Sequence, residues 1–303
     1  MAGAFASDAP ESVALIPHRP FDLSQALCEG VCQSTWHSMK RWIPFIKSEL
    51  TVSVIRLQGM IAGGGRGALN DAGLTAVIER AFSKGKPAAV ALEINSPGGS
   101  PVQSSLIAAR IRRLADEKDI PVLAFVEDVA ASGGYWLATA ADEIYADESS
   151  ILGSIGVISA GFGAHELLAK QGVERRVYTA GKSKSMLDPF RPENPEDVAR
   201  LKGLLEELHG NFKGHVAARR GAKLTQEMDL FTGEVWLARK ATELGLIDGI
   251  GHLKPMLQDR FGEKVKINRY GVKKPFLARF GAQLMQDAVT NIEERAAYAQ
   301  FGL

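Results

Sequence analysis

The chain has 303 residues, of which 46% are hydrophobic and 23% are charged, and its formal net charge is +1. This is the composition of an ordinary globular protein, and the near-zero charge excludes the strongly basic surface of a typical nucleic-acid-binding protein. The two cysteines, Cys28 and Cys32, have a spacing that suits one face of a helix and fits neither a disulfide framework nor a zinc or redox motif.

The N-terminal part of the chain, residues 1–47, differs in composition from the rest. Residues 1–19 are small, polar and interrupted by proline, which predicts disorder. Residues 20–47 are predicted to be helical, and the stretch 36–47 combines aromatic with basic residues. This stretch suits either a core or subunit contact, or a peripheral membrane contact. The chain shows no secretory signal pattern and no apolar run of about 18 residues. We therefore expect a cytoplasmic location, with peripheral attachment at the inner membrane as the alternative.

Residues 48–275 are predicted to form one α/β domain. The segment 51–59 suits a strand and a turn, and 88–94 and 121–127 are nearly unbroken apolar runs, as in strands buried on both faces. Between them, apolar residues recur at helical spacing, at Leu74, Val77, Ile78, Ala81 and Phe82, and then at Ile107, Ile111 and Leu114. Because strands alternate with helices, we expect βαβ units and a mostly parallel sheet.

Helices are predicted to dominate the chain after residue 190. The sequence Asn194-Pro195-Glu196-Asp197 supplies the capping residue, the proline and the acids that are typical of a helix start. One apolar stripe follows it, formed by Val198, Leu201, Leu205, Leu208, Phe212 and Val216. A final helix is predicted over 276–299, within a C-terminal segment that covers 276–303.

Two glycine-rich junctions follow neighbouring predicted strands. INSPGGS (94–100) lies between a buried strand and a helix, and VAASGGYW (129–136) does the same after the next strand. Paired glycines let the backbone turn sharply and present N–H groups. Each junction alone is typical of an ordinary strand-to-helix turn. Because the carboxyl ends of parallel strands meet at one edge, the two together place Ser132 beside two sources of backbone donors.

A serine nucleophile needs a base, and none of the six histidines has a nucleophile-like or ligand-like context. His209 and His215 are expected at the surface of the helix that begins near residue 195. A lysine that burial keeps neutral is the alternative base. The loop YTAGKSKSMLDPF (178–190), predicted to follow a strand, contains Lys182 and Lys184, and the residues alone do not choose between them.

Five sequence blocks, in the same order, closely resemble the protease IV / signal peptide peptidase A family of serine peptidases. They are INSPGG (94–99), VAASGGYW (129–136), LGSIGVI (152–158), AGKSKSMLDP (180–189) and VWLARKATELGLIDGIG (235–251). The resemblance implies a crotonase/Clp-protease-like α/β fold, a βαβ spiral with added helices. It also implies a serine endopeptidase that works through a Ser–Lys dyad.

The resemblance assigns a role to individual residues of this sequence. The nucleophile is Ser132, the general base is Lys184, and Ser154 is implied to hold the Lys184 amine by a hydrogen bond. The oxyanion donors that the resemblance implies are the backbone N–H groups of Gly133 and Gly99, with Gly98 as the alternative to Gly99. No cofactor and no metal ion is implied.

The resemblance also suggests an assembly and a class of substrate. Members with one catalytic repeat, as here, form rings in which the serine and the lysine come from adjacent subunits. We therefore expect a homo-oligomer, with an octamer as the candidate size. Expected substrates are unfolded or membrane-released peptides, including cleaved signal peptides, bound in extended form. Many members carry an N-terminal membrane anchor, and the residues of this sequence predict none, so we expect a role at the membrane to depend on 36–47.

Two other functions share some of these features. An acyl-CoA hydratase-like enzyme of the same superfold would use the same donors on a thioester, but it typically needs a Glu or Asp near the site. A scaffold without activity would bind peptides and not cleave them, and the intact set of Ser132, Ser154 and Lys184 argues against it. GGGRGA (63–68) fits a dinucleotide-binding pattern only loosely, because several residues separate it from the preceding strand.

Overall fold

A computed structural model of the chain describes residues 49–64, 67–271 and 294–303. The chain divides between Ser48 and Glu49, and all described residues belong to the second unit. The predictions for 1–47, including both cysteines and the aromatic–basic stretch, lie outside the described residues. Of the helix predicted over 276–299, the described part, 294–299, is helical. The predicted division into 1–47, 48–275 and 276–303 stays a prediction.

The strands and helices of the described residues alternate through the first half of the chain. The strands are β1 (Thr51–Gln58), β2 (Ala89–Ser96), β3 (Val122–Ala131), β4 (Glu143–Ala146), β5 (Ile151–Gly153), β6 (Val235–Leu237), β7 (Gly249–Ile250) and β8 (Lys266–Tyr270). The labelled α-helices are α1 (Asp71–Ser83), α2 (Pro101–Lys118), α3 (Gly133–Ala138), α4 (His165–Lys170), α5 (Pro195–Arg220), α6 (Ala238–Glu243) and α7 (Leu253–Phe261).

One sheet joins these strands in the order β6-β5-β3-β2-β1-β8, with β4 pairing with β3 and with β7. The pairings are parallel except for β5 with β6. β3 pairs with β4 over its first half and with β5 over its second half, so the sheet divides into two branches there. Every residue of β2 is buried. The predicted parallel sheet with doubly buried central strands is therefore confirmed.

Helices cover both faces of the sheet. On one face, α1 and α2 contribute Leu74, Ile78, Ile107 and Ile111 to the larger apolar core, and α3 is buried along its whole length. On the other face, Leu253 and Leu257 of α7 pack against β1, β2 and β3. This arrangement leaves the carboxyl edge of the central strands free for the two glycine-rich junctions. No helix among the described residues is both long enough and apolar enough to cross a membrane.

Two expectations about the second half of the chain are wrong. No strand lies directly before the 178–190 loop, because Val173 and Tyr178 are exposed and charged residues lie between them, so no apolar face exists to bury. His209 and His215 are half-buried and not at the surface. The predicted apolar stripe lies on α5, where Phe212 and Val216 near the end of the helix are buried and Leu208 is exposed.

Candidate active site

Ser132 lies at the sharp turn between β3 and α3. Its backbone has φ 51° and ψ −119°, a conformation that costs free energy in a residue with a Cβ atom. The turn is held by the Ser132 N–H, which donates to the Gly153 carbonyl at 2.8 Å, and by the Ser132 carbonyl, which accepts from Trp136 N–H at 3.0 Å. The Ser132 side chain makes no capping hydrogen bond to α3. Its hydroxyl is therefore available for chemistry.

The SPGG turn lies directly against this serine. Gly98 and Gly99 have φ of 104° and 137°, values that favour glycine. A Cβ atom at Gly98 would lie 2.9 Å from the Ser132 Cβ and 2.8 Å from the Gly133 nitrogen. A Cβ atom at Gly99 would lie 2.0 Å from the Ile61 carbonyl oxygen. The two junctions therefore meet at the carboxyl edge of the sheet, as the sequence predicts, and only glycine allows so close an approach.

The orientation of the amides shows which of Gly98 and Gly99 has an N–H group available as a donor. Gly98 N–H donates to Ser96 Oγ at 3.2 Å. Ile61 N–H donates to the Gly98 carbonyl at 2.8 Å, and Ser100 N–H donates to the Ile61 carbonyl at 2.7 Å. In such a parallel bridge the N–H of the middle residue, Gly99, points away from the partner. Among the described residues the Gly99 N–H has no acceptor.

The second available amide belongs to Gly133, the first residue of α3. The first amides of a helix have no partner inside the helix, and no other acceptor for Gly133 occurs among the described residues. A Cβ atom at Gly133 would lie 3.3 Å from the Gly99 nitrogen, so the two amides are neighbours. Together with the Ser132 hydroxyl they form the combination that acyl transfer needs, a nucleophile beside two backbone donors.

Ser154 stands next to this group. It follows Gly153, whose carbonyl accepts the Ser132 N–H, and the register of β3 with β5 pairs Ala131 with Gly153. Ser154 has φ 51°, its N–H donates to the Glu234 carbonyl at 2.7 Å, and the residue is half-buried. The position agrees with a supporting role, and that role stays a prediction.

Lys184 is not brought to Ser132 within one chain. It is exposed, in a turn where its N–H donates to the Gly181 carbonyl at 3.2 Å. In the described part of the chain, the Lys184 amine makes no hydrogen bond and no ion pair. The serines on either side are held, since Arg200 donates to Ser183 Oγ and Arg191 donates to Ser185 Oγ at 3.1 Å. The prediction that Lys184 is the base is therefore not tested by the geometry of a single chain.

An aromatic stack that the sequence analysis missed lies behind α3. The Trp136 ring is stacked against Phe212, at 4.9 Å between centroids, and against His215, at 4.6 Å. His215 Nε2 lies 2.8 Å from Thr139 Oγ1. Burial lowers the pKa of His215 to about 4, so the ring is neutral at neutral pH. The available signal was that His215 lies three residues after Phe212, on the buried side of α5.

The described residues contain no cluster of three or more His, Cys, Asp or Glu side chains that could hold a metal ion.

Comparison with known proteins gives a family. The model of Peptidase family S49 matches residues 115–267, half of the chain, and this range includes Ser132, Ser154 and Lys184. Serine protease SPPA, chloroplastic, from Arabidopsis thaliana is 32% identical over 67% of this chain and 31% of its own length. Protease 4 from Haemophilus influenzae is 30% identical over 66% of this chain and 32% of its own length.

A longer relative has a different name. A Brucella abortus protein named Na(+)/H(+) antiporter NhaA is 47% identical over 286 residues, which are 88% of this chain and 39% of that protein. The chain thus spans less than half the length of each of these three relatives, and the antiporter name describes a protein more than twice as long as the matched part. The family match, the protease relatives and the fold agree on one conclusion. The chain belongs to peptidase family S49, the protease IV / signal peptide peptidase A family of serine peptidases, and has its crotonase/Clp-protease-like fold.

Proposed function

We propose that this chain hydrolyses peptide bonds with Ser132 as the nucleophile and Lys184 as the general base. The observation that carries the proposal is the Ser132 hydroxyl at a strained strand-to-helix turn, beside the amides of Gly133 and Gly99, which have no acceptor among the described residues. A hydrolase that goes through a tetrahedral intermediate needs this arrangement, because the donors must already point at the position where the oxyanion develops.

The mechanism follows in steps that conserve protons. Neutral Lys184 accepts the proton of the Ser132 hydroxyl as the oxygen attacks the peptide carbonyl. The amides of Gly133 and Gly99 stabilise the oxyanion. Lys184 then donates the proton to the leaving amine, which gives an acyl-enzyme on Ser132. Water, deprotonated by the same amine, attacks this ester. The bond between the acyl carbon and Ser132 Oγ then breaks, Lys184 returns the proton to that oxygen, and the acid is released. Ser154 orients the Lys184 amine by a hydrogen bond.

Substrates are proposed to be extended peptides of unfolded or membrane-released chains, of the signal-peptide kind. Extended backbone suits a site that lies between two strand ends, where backbone groups are exposed in rows. The apolar character of such peptides fits Ile158, which lies four residues after Ser154 and is 85% exposed.

The active form is proposed to be a homo-oligomeric ring in which Lys184 of one subunit serves Ser132 of its neighbour. Two observations support this. The Lys184 amine has no partner within the described chain, and the surrounding segment exposes Phe162 and Tyr178 by 94% and 90%. Large apolar side chains left this open on a single chain are typical of a surface that another subunit covers.

The test uses a fluorogenic apolar peptide and a fluorophosphonate probe. We expect wild-type protein to cleave the peptide and to be labelled at Ser132, and we expect Ser132→Ala and Lys184→Ala each to lose at least about 10³-fold in kcat. Lys182→Ala is the matched control, because it removes a lysine two residues away in the same loop and should keep activity. The proposal fails if Lys184→Ala cleaves the peptide as fast as wild type, or if Lys182→Ala loses activity in its place.

A further inference from the structure

The far end of the nucleophile helix is held by guanidinium groups. Arg219, near the end of α5, donates from Nε to the Thr139 carbonyl at 2.8 Å and from Nη2 to the Ala141 carbonyl at 2.9 Å. Arg112 of α2 donates from Nη1 to the Ala140 carbonyl at 3.1 Å. Three successive carbonyls after α3 are therefore bound by two cations. Carbonyls at a helix C-terminus lack partners inside the helix, and cations are favoured there.

A carboxylate keeps both cations in place and connects them to the strand before the nucleophile. Asp142 Oδ1 accepts from Arg112 Nη1 at 2.8 Å and lies 3.6 Å from Arg219 Nη2. Asp142 Oδ2 accepts from Val122 N–H at 2.8 Å, and Asp142 N–H donates to the Val122 carbonyl at 2.8 Å. The start of β3 and the end of α3 are thus tied together, and Ser132 lies at the opposite end of this strand–helix unit.

From these contacts we infer that Arg219 is a positioning residue for Ser132. The inference rests on the proposed function, because it assumes that the Ser132 hydroxyl and the Gly133 amide do the chemistry. α3 has only six residues, so its own backbone hydrogen bonds are too few to fix its direction. The Arg219 guanidinium spans two carbonyls with a planar pair of donors, which fixes both the position and the tilt of the helix end.

Without Arg219 the far end of α3 would be free to tilt, and this tilt would move the Gly133 amide relative to the Gly99 amide. Gly99 is held separately, by the bridge with Ile61, so it would not follow. An error of about 1 Å in such a constellation typically costs roughly 10²-fold in rate. Binding of the rest of the peptide would change little, because it does not depend on the tilt of α3.

The experiment compares Arg219→Ala and Arg219→Lys with wild type and with Arg113→Ala. Arg113 is the control because it lies on α2 next to Arg112, and its one ion pair within the described part of the chain is with Glu117 of its own helix, at 3.1 Å. We expect Arg219→Ala to lower kcat by roughly 10- to 100-fold with KM within about twofold, and to slow fluorophosphonate labelling of Ser132 in the same proportion. Arg219→Lys should recover part of the loss, because an ammonium reaches one carbonyl but cannot span two.

Hydrogen exchange of the α3 amides gives a readout that does not need activity. We expect faster exchange over residues 133–139 in Arg219→Ala, with unchanged exchange in β1 and β2. The inference is overturned if Arg219→Ala keeps wild-type kcat per titrated site, or if the exchange of α3 stays as in wild type. If wild-type protein neither cleaves peptides nor is labelled at Ser132, the proposed function fails, and the exchange measurement still decides whether Arg219 holds α3.

Discussion

At the scale of single residues, the site depends on two glycines that have no side chain. Gly98 and Gly99 have no Cβ, and this lets the SPGG turn approach both Ile61 and the Ser132 turn to within contact. Both glycines also have positive φ. The positive φ and the close approach therefore both require glycine, and each would destabilise the turn if another residue replaced it.

The first prediction concerns Gly99→Ala. The new Cβ would meet the Ile61 carbonyl oxygen at 2.0 Å, so the turn must shift and the Gly99 amide must move with it. We expect a loss of roughly 10²–10³ in kcat, the usual cost of one oxyanion donor. The measurement is kcat for the fluorogenic peptide, with the melting temperature recorded alongside.

Gly85→Ala is the control for backbone strain, because Gly85 has φ 77° but no atom within 4 Å of the added Cβ. It should lower stability by about 1 kcal/mol or more and leave kcat unchanged. Wild-type kcat in Gly99→Ala would contradict the assignment of Gly99 as a donor.

At the scale of elements, α5 connects two distant parts of the proposed mechanism. Near its start, Arg200 binds Ser183, next to Lys184. Near its end, Phe212 and His215 stack on Trp136, four residues after Ser132. At about 1.5 Å per residue, the stretch of this continuous helix between Arg200 and Phe212 is about 18 Å long, so the two contacts lie at opposite ends of one element. A shift of α3 would therefore be passed through α5 to the Lys184 loop of the same subunit.

The second prediction is a pH effect on stability through His215. Burial lowers the pKa of His215 to about 4, from an ordinary value of 6.5. Between these two pH values the unfolded chain binds a proton that the folded chain does not bind. The stability is therefore full above pH 6.5, falls as the pH drops towards about 4, and levels off below it. His215→Phe keeps a ring on Trp136 but cannot titrate, so its melting temperature should fall less over this window. Equal slopes for the two proteins would refute the effect.

Elements with long, regular patterns were predictable from the sequence, and short ones were not. β2 and β3 are apolar runs, and both glycine-rich junctions follow them directly, so the place of Ser132 could be derived. β5, β6 and β7 have only two or three residues each, and they exist because of pairing with distant segments. The spacing of His215 from Phe212 could place both on one side of α5, but the contact of His215 with Thr139 joins segments that are 76 residues apart, and no local pattern predicts it.

At the scale of the whole molecule, the described chain exposes large apolar side chains along the segment 158–208, which contains Lys184. Among them are Ile158, Phe162, Tyr178 and Leu208. The choice between Lys182 and Lys184 could not be made from physical argument on the sequence, because the environment of both depends on what covers this segment. The proposed ring supplies such a cover.

The third prediction uses co-assembled variants. Subunits with Ser132→Ala and subunits with Lys184→Ala are each inactive, but a mixed ring contains sites that combine an intact Ser132 with an intact Lys184 from the neighbour. Random mixing in equal amounts should restore about a quarter of wild-type activity. Separate assemblies that are combined without exchange of subunits serve as the control. If mixed rings are inactive although light scattering shows a common assembly, the dyad does not form between subunits.

The pairing of β1 with β8 brings Thr51 beside Lys266. These residues are more than 200 positions apart, so during translation β1 emerges long before its outer neighbour exists. Until then the edge of β1 that pairs with β8 is open to other chains, which favours aggregation and slows folding. Nascent chains released before residue 266 should therefore depend on chaperones to a degree that the finished protein does not.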